Sequence, residues 1–450
     1  MDGKTTRACL VKMKRINEST KVFTVESLAQ GGKLHPIQKA FIENGAVQCG
    51  FCTPGMLMSA KVLLDANLHP TDEEIKTYLT KNPNLCRCTG YINIIKSIKI
   101  AGELIAAGEG HSELESEGER VRSTQLYRHA IDKVTGATEY GADIKMEGML
   151  HGKLLLAEYP SAEILNIDTS AAEKVPGVAV VITAKDIPGS NKIGNLHRDQ
   201  PTIADKKVNY IGDSVASVFA ETPEIADEAV KKIRVEYKVL PGVFTPSEAS
   251  RPDAPIVQEG MKNNLCNHAL IERGDVEEAF NQCEVVVERS YTTPFLEHGF
   301  MEPESGVCFK TEDDGITLLI HTQTVFDVRS WIAENLDMPE EKIRVVQIPQ
   351  GGSFGGKEDP IFEVHLALAA KITGRPCKLV LTRTESLRIH VKRHPTWMTF
   401  KTGADKDGNI LAVKASVTSD TGCYVSLGAD VLANMVLFCA GPYFVPNLYL

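Results

Sequence analysis

Apolar residues recur at helical spacing along the first hundred positions. Ile37, Ala40, Phe41 and Val47 mark one such face between Pro36 and Val47, and Met56, Leu57, Ala60, Leu63 and Leu64 mark another between Gly55 and Leu68. Spacings of three and four place each set on one side of a helix. Thr71 then opens TDEE, a capping box in which Glu74 reaches back over the helix start, ahead of Ile75, Tyr78 and Leu79. A fourth apolar helix is predicted from Ile92 to Ala107. Residues 108–121 turn polar, acidic and glycine-bearing, which reads as a linker. Beyond it the period shortens. MLHGKLLLAEY, VAVVITAKDI and IRVEYKVL read as strands and Pro223 to Lys232 as a helix, together a mixed α/β domain. Further on, an apolar strand ends at His321, Thr322 and Gln323, and an apolar helix is predicted over Pro360 to Thr373, behind the glycine-rich run GGSFGGKED.

The cysteines change this picture. Cys49 and Cys52 form a C-x2-C pair in QCGFCTPGM, and Cys86 and Cys88 a C-x-C pair in NLCRCTGY, at the starts of the second and fourth predicted helices. Four thiols on two short turns can converge on one metal centre inside a pseudo-symmetric bundle. Buried unligated thiols or two disulfides are the blander readings. A disulfide within C-x-C is strained, and no secretory signal supports an oxidising compartment. Zinc and iron–sulfur both remain open on spacing alone.

QCGFCTPGM and LCRCTGY resemble the helical [2Fe-2S] domain of the molybdenum hydroxylases, the xanthine dehydrogenase and aldehyde oxidoreductase family. The resemblance implies cluster ligation by Cys49, Cys52, Cys86 and Cys88, and a contact between Gln48 and the pterin of the molybdenum cofactor. Residues 1–30 resemble the last hairpin of a plant-type ferredoxin domain, with its final ligand falling on Cys9. The three other thiols of that second cluster are absent, so it is incomplete here and the chain reads as a fragment or a split subunit. The fold expected is multidomain α+β. A helical [2Fe-2S]-binding domain over 31–110 and a linker over 111–127 precede a hammerhead-like α/β domain over 128–245. A molybdopterin-binding domain, incomplete at its C-terminus, follows over 255–450. No flavin (FAD) domain fits between the helical and hammerhead domains.

The resemblance extends to the cofactor loop. A Gln at a strand tip is ordinarily a surface residue, but in the family a Gln after Thr at this place hydrogen-bonds an oxo ligand of molybdenum, which gives Gln323 a cofactor role. GGSFGGKED lacks P-loop spacing and is similar to the family's GG-x-FGGK loop, which places Gly352, Phe354 and Gly355 against molybdenum and its pterin. Glu358 follows directly. Its bland reading is an acid at a helix N-terminus. Purine-hydroxylating relatives carry glutamate there, where it orients the substrate. Two departures temper the resemblance: Asn434 stands where purine relatives have an arginine, and the segment bearing the catalytic base would lie beyond Leu450, so no base can be named. His298, Glu302 and Glu304 in EHGFMEPES, and Arg393-His394-Pro395, read as packing, and in the family the first of these segments ligates no metal.

A formal charge of −10 argues against a nucleic-acid partner, and no apolar run reaches the length of a membrane span. Eleven cysteines fit a reducing cytoplasm, with Cys266, Cys283, Cys308, Cys377, Cys423 and Cys439 expected as small core residues. The activity implied is hydroxylation of a purine such as xanthine with water as oxygen source. Electrons leave through [2Fe-2S] clusters to an external acceptor or a separate flavin subunit, and a homodimer is one assembly it admits. Rival readings are an aldehyde oxidoreductase, a non-catalytic electron-transfer or scaffold half of a split enzyme, and a zinc-stabilised module.

Overall fold

His35 and Pro36 start the first helix by supplying what its end lacks. His35 Nδ1 accepts from Ile37 N at 3.1 Å, Gln38 Oε1 accepts from His35 N at 2.9 Å, and Pro36 has no N–H to satisfy. In the computed structural model, which describes residues 1–114 and 129–450, helices α1 (Pro36–Glu43), α2 (Thr53–Ala66), α3 (Asp72–Lys81) and α4 (Tyr91–Ala106) follow in order, then α5 (Ala130–Thr135). Much of the predicted linker lies outside the described residues. Ile37, Phe41, Met56, Leu57, Ile94 and Ile98 are at most 1% exposed and meet in one core, each contributing about 1.5–3 kcal/mol by leaving water. Helix α4 comes close to the end of α2 because residue 102 is glycine: a Cβ there would lie 2.0 Å from Leu68 O.

The capping box at α3 forms as its sequence predicts, with Thr71 N donating to Glu74 Oε2 at 2.8 Å and Glu74 N to Thr71 Oγ1 at 3.3 Å. Thr71→Ala is expected to lower stability by about 1 kcal/mol, read as a lower urea midpoint with an unchanged slope.

The predicted hairpin near the N-terminus does not form. Residues 1–30 hold single 3-10 turns at Ala8–Leu10, Met13–Arg15 and Val25–Ser27, and Cys9 is exposed and free of any disulfide. An isolated hairpin without further strands to cover it is marginal in water, and Leu10 and Met13 are accordingly 61% and 76% exposed.

The chain divides into two units. One comprises Met1–Asp143, Gly299–Glu302 and Ile348–Ser353; the other comprises Ile144–His298, Pro303–Gln347 and Phe354–Leu450. In the second unit, β9 (Ser305–Lys310), β10 (Ile316–Ile320), β11 (Ile343–Gln347) and β12 (Cys377–Val380) join β1 (Leu150–Leu156), β3 (Val178–Ile182) and β5 (Ser214–Ala220) in one sheet, ordered β11-β10-β9-β12-β1-β5-β3. Parallel pairing of Leu150 with Cys377 joins its two halves. Helices Val325–Leu336 and Glu363–Thr373 pack on it around fully buried Trp331, whose Nε1 donates to Gly194 O at 2.8 Å. A five-stranded sheet is built from β7 (Glu272–Arg273), β8 (Val285–Thr293), β13 (Thr396–Ala404), β14 (Ile410–Ser419) and β15 (Asn447–Tyr449). A three-stranded one is built from β2 (Ala162–Asp168), β4 (Lys207–Val208) and β6 (Arg234–Val239).

Cys308 and Cys377 are core residues as expected, facing each other across β9 and β12. Cys266 is exposed, and Cys283, Cys423 and Cys439 are partly so, because they lie on loops and surface turns rather than on the inner face of the large sheet. No helix among the described residues is long and apolar enough to cross a membrane.

Candidate functional site

Helix starts place the four thiols. Cys52 is the N-cap of α2, and Cys86 and Cys88 lie on the turn before α4, where Tyr91 Oη accepts from Cys86 N at 2.8 Å. Between the first two, Gly50 has φ +86°, and a Cβ on it would strike Lys133 Cδ at 2.4 Å. Lys133 is 5% exposed and donates from Nζ to Gln48 O at 2.9 Å, while Tyr140 Oη donates to Cys49 O at 3.0 Å and meets the Phe51 ring edge-on. These two supports were missed in the sequence. They come from 85 and 91 residues downstream, too far for local spacing to reveal them.

Cys49 contacts Cys88 and Cys52 contacts Cys86 across the two turns, and Cys86 contacts Cys88 within its own turn. Hydrogen bonds from their neighbours pull Cys49 and Cys86 down, and the same bonds push the donors Cys52 and Cys88 up. Cys49 and Cys86 are thus favoured as thiolates and Cys52 and Cys88 as thiols. None is in a disulfide. A single tetrahedral zinc with bonds near 2.3 Å would need all four sulfurs about 3.8 Å apart. Among the described residues, no three of these sulfurs lie within 4.8 Å of one another, although Glu297, His298 and His390 do offer such a group. Two sulfur pairs, linked through the Cys86–Cys88 contact, suit a dinuclear cluster.

In the second unit, Gln323 sits past the end of β10 and anchors the glycine loop. Its Oε1 accepts from Gly355 N at 3.0 Å and Lys357 N at 3.4 Å, and its Nε2 donates to Glu358 Oε1 at 2.9 Å. With Oε1 committed to backbone donors, the second Nε2 hydrogen of this exposed side chain remains for a ligand. Phe354 adopts φ 58° and Gly355 φ 88°; the left-handed turn aims successive N–H groups at one side, as anion-binding nests do. Phe354 and Glu358 are partly exposed, whereas Lys357 is buried.

Beneath the loop, Lys357 shares a cavity of about 10 Å³ with Glu304, His321 and Glu363, roughly the space of one water. His321 Nε2 accepts from Ser305 N at 2.9 Å, and burial holds its pKa well below the usual value, so it is neutral. Glu363, rather than Glu358, is the acid at the helix start: its Oε2 accepts from Ile361 N at 2.7 Å and Phe362 N at 2.8 Å. The helix begins three residues later than predicted because these two N–H groups are capped by that carboxylate. In the first unit, Gly351 N donates to buried Glu302 Oε2 at 2.6 Å, and Gly352 adopts φ 93°. Gln48 and Cys9 are exposed in that unit.

Three family matches tile the chain: a [2Fe-2S] binding domain over 24–99, the aldehyde oxidase and xanthine dehydrogenase a/b hammerhead domain over 135–241, and a molybdopterin cofactor-binding domain over 257–450. The nicotinate dehydrogenase large molybdopterin subunit of Eubacterium barkeri is 38% identical over 71% of this chain and 75% of its own length. The chain belongs to the molybdenum hydroxylase family. This molybdenum hydroxylase chain is also 45% identical, over 70% of its length, to a probable xanthine dehydrogenase subunit of Bacillus subtilis, of which the match covers 42%. The solved aldehyde oxidoreductase from Desulfovibrio gigas superposes on all of it with a TM-score of 0.94 and 32% identity, over 51% of that protein. The chain thus spans about half the length of several relatives that it matches. Its cofactor-binding domains are those for a [2Fe-2S] cluster and molybdopterin.

Proposed function

We propose that this chain serves a molybdenum- and iron–sulfur-dependent oxidoreductase that hydroxylates a purine such as xanthine with water as the oxygen source. Cys49, Cys52, Cys86 and Cys88 would hold the [2Fe-2S] cluster, a ligand set supported by the contacts among their thiols. Gln48, Gln323, Gly352, Phe354 and Gly355 are the cofactor-binding set. When bound, the molybdenum cofactor supplies the two-electron oxidation and the iron–sulfur clusters carry the electrons away one at a time. Gln323 orients the loop and offers an amide N–H, and the Gly355 turn lets backbone approach a ligand closely. Electrons pass to an external acceptor or a separate flavin subunit.

The observation that carries the substrate reading is Glu358. Its carboxylate is held at 2.9 Å by Gln323, and its backbone oxygen is fixed by Thr324 Oγ1 at 3.1 Å and Asn195 Nδ2 at 3.4 Å. A partly exposed carboxylate on a fixed loop can hydrogen-bond a ring N–H of a heterocycle, an interaction of about 1.5–3 kcal/mol. Glu358→Ala in the holoenzyme is therefore expected to cut purine kcat/KM by on the order of 10- to 100-fold while aldehyde turnover changes little. Equal losses on both substrates would remove the purine reading. The second reading, aldehyde oxidation, has its own support in the likeness of all of this chain to about half of an aldehyde oxidoreductase and in Asn434, exposed on helix Gly428–Leu437 where purine relatives carry arginine.

A further inference from the structure

Stretches of chain far apart in sequence meet behind Glu358, and Ser426 stands at their centre. Its Oγ donates to Asp359 Oδ1 and accepts from Asn195 N at 3.1 Å, and its N–H donates to Asp199 Oδ1 at 3.4 Å. Asn195 donates in turn from Nδ2 to Glu358 O at 3.4 Å. Ser426 thus reaches Glu358 along the chain through Asp359 and across it through Asn195. Its own segment is fixed from behind. Asp199 Oδ2 accepts from Val425 N at 2.6 Å and from Gln258 Nε2 at 2.7 Å, Gln258 Nε2 also donates to Cys423 O at 2.6 Å, and His197 N donates to Ser426 O at 3.2 Å. Ser426 has φ 39°, a left-handed conformation that is uncommon for serine and persists where the surroundings over-determine it.

We infer that Ser426 is a positioning residue: it fixes the direction of the Glu358 carboxylate by holding Asp359 on one side of that residue and Asn195 on the other. The inference rests on the reading of Glu358 as the acid that faces substrate. Its physical basis is charge. Asp199 and Glu358 both lie close enough to Asp359 to repel its carboxylate, and like charges left to themselves turn apart and carry the Glu358–Asp359 backbone with them. Ser426 supplies a donor to each of the two flanking acids, its N–H to Asp199 and its O–H to Asp359, and bonds to a carboxylate are the stronger kind. Glu358 then keeps the direction given by Gln323 Nε2 at 2.9 Å on its carboxylate and by Thr324 Oγ1 at 3.1 Å on its backbone oxygen. A purely structural clamp between residues 195–199 and 423–426 would not need the hydroxyl for this. Asp199 and the bond from His197 N already join those segments. The hydroxyl is the part of Ser426 that reaches toward Glu358, and its removal loosens both routes at once.

The test pairs kinetics of the holoenzyme with hydrogen exchange of the purified chain. Ser426→Ala and Ser426→Gly are both expected to lower xanthine kcat/KM about three- to tenfold, mostly through KM, with aldehyde turnover held within about twofold. Glycine relieves the left-handed backbone, so recovery in Ser426→Gly would assign the effect to strain and overturn the inference. Asp359→Asn keeps an acceptor for the hydroxyl and should stay near the unmodified enzyme. In a Glu358→Ala background, Ser426→Ala should add no further purine loss, because it acts through Glu358; an undiminished additional loss overturns the inference. Exchange needs neither substrate nor turnover. Peptides covering residues 354–359 should exchange faster in Ser426→Ala, and exchange there at the unmodified rate overturns the inference whatever the kinetics. If Glu358→Ala alone impairs purine and aldehyde equally, the purine reading falls, and faster exchange over 354–359 still supports Ser426 as the residue that holds Glu358.

Discussion

Cys86→Ser is expected to strip the [2Fe-2S] cluster from the chain and lower the stability of the helical unit with it. Cys86 is the most buried of the four thiols, at 8% exposure, and contacts both Cys52 and Cys88. Serine offers a hard oxygen that is protonated at neutral pH in place of a soft thiolate, so one iron loses a ligand. The effect extends to folding because a cofactor that binds only the folded state stabilises it by mass action, about 4 kcal/mol at a thousandfold excess over its dissociation constant. The loss concentrates where the two cysteine turns meet the core formed by Met56, Leu57, Ile94 and Ile98. Iron per chain and the visible charge-transfer bands should fall together, and the thermal midpoint should drop. A variant with undiminished iron and an unchanged spectrum would exclude Cys86 as a ligand.

Gln323→Leu should have the second largest effect, on molybdenum rather than iron. Leucine keeps the volume but deletes the acceptor used by Gly355 N and Lys357 N and the donor used by Glu358. Leaving such groups unmatched costs about 1–3 kcal/mol each when they are buried, and less here because the loop is partly exposed. The loop's left-handed turn at Phe354 and Gly355 then loses its anchor. Molybdenum content is expected to fall several-fold while iron stays at the unmodified level. Retention of both metals in full would show that the amide does not organise the cofactor loop.

Part of this site is legible in the sequence because its chemistry is local. The C-x2-C and C-x-C turns, the Thr71 capping box and the positive-φ glycines each solve a problem within a few residues of themselves, so spacing alone reveals them. Alternation and periodicity likewise locate α1 to α4, β1, β3, β6 and β10 to within a few residues. Where a segment depends on distant partners the reading fails. Among the described residues the predicted N-terminal hairpin finds no strand to pair with, and the apolar pattern of residues 8–13 ends in exposed turns instead.

The sequence by itself determined the family, the two cofactor-binding domains and the cysteine motif, since each rests on residue identity in short runs of chain. Only the tertiary structure decided what those runs lean on. Lys133 and Tyr140 brace the first cysteine turn from 85 and 91 residues away, and Gln323 holds the loop at Gly355 from 32 away. His390 reaches Glu297 across 93. Such contacts depend on how helices and strands pack, because burial and hydrogen bonding act between neighbours in space, and separation along the chain carries no trace of them.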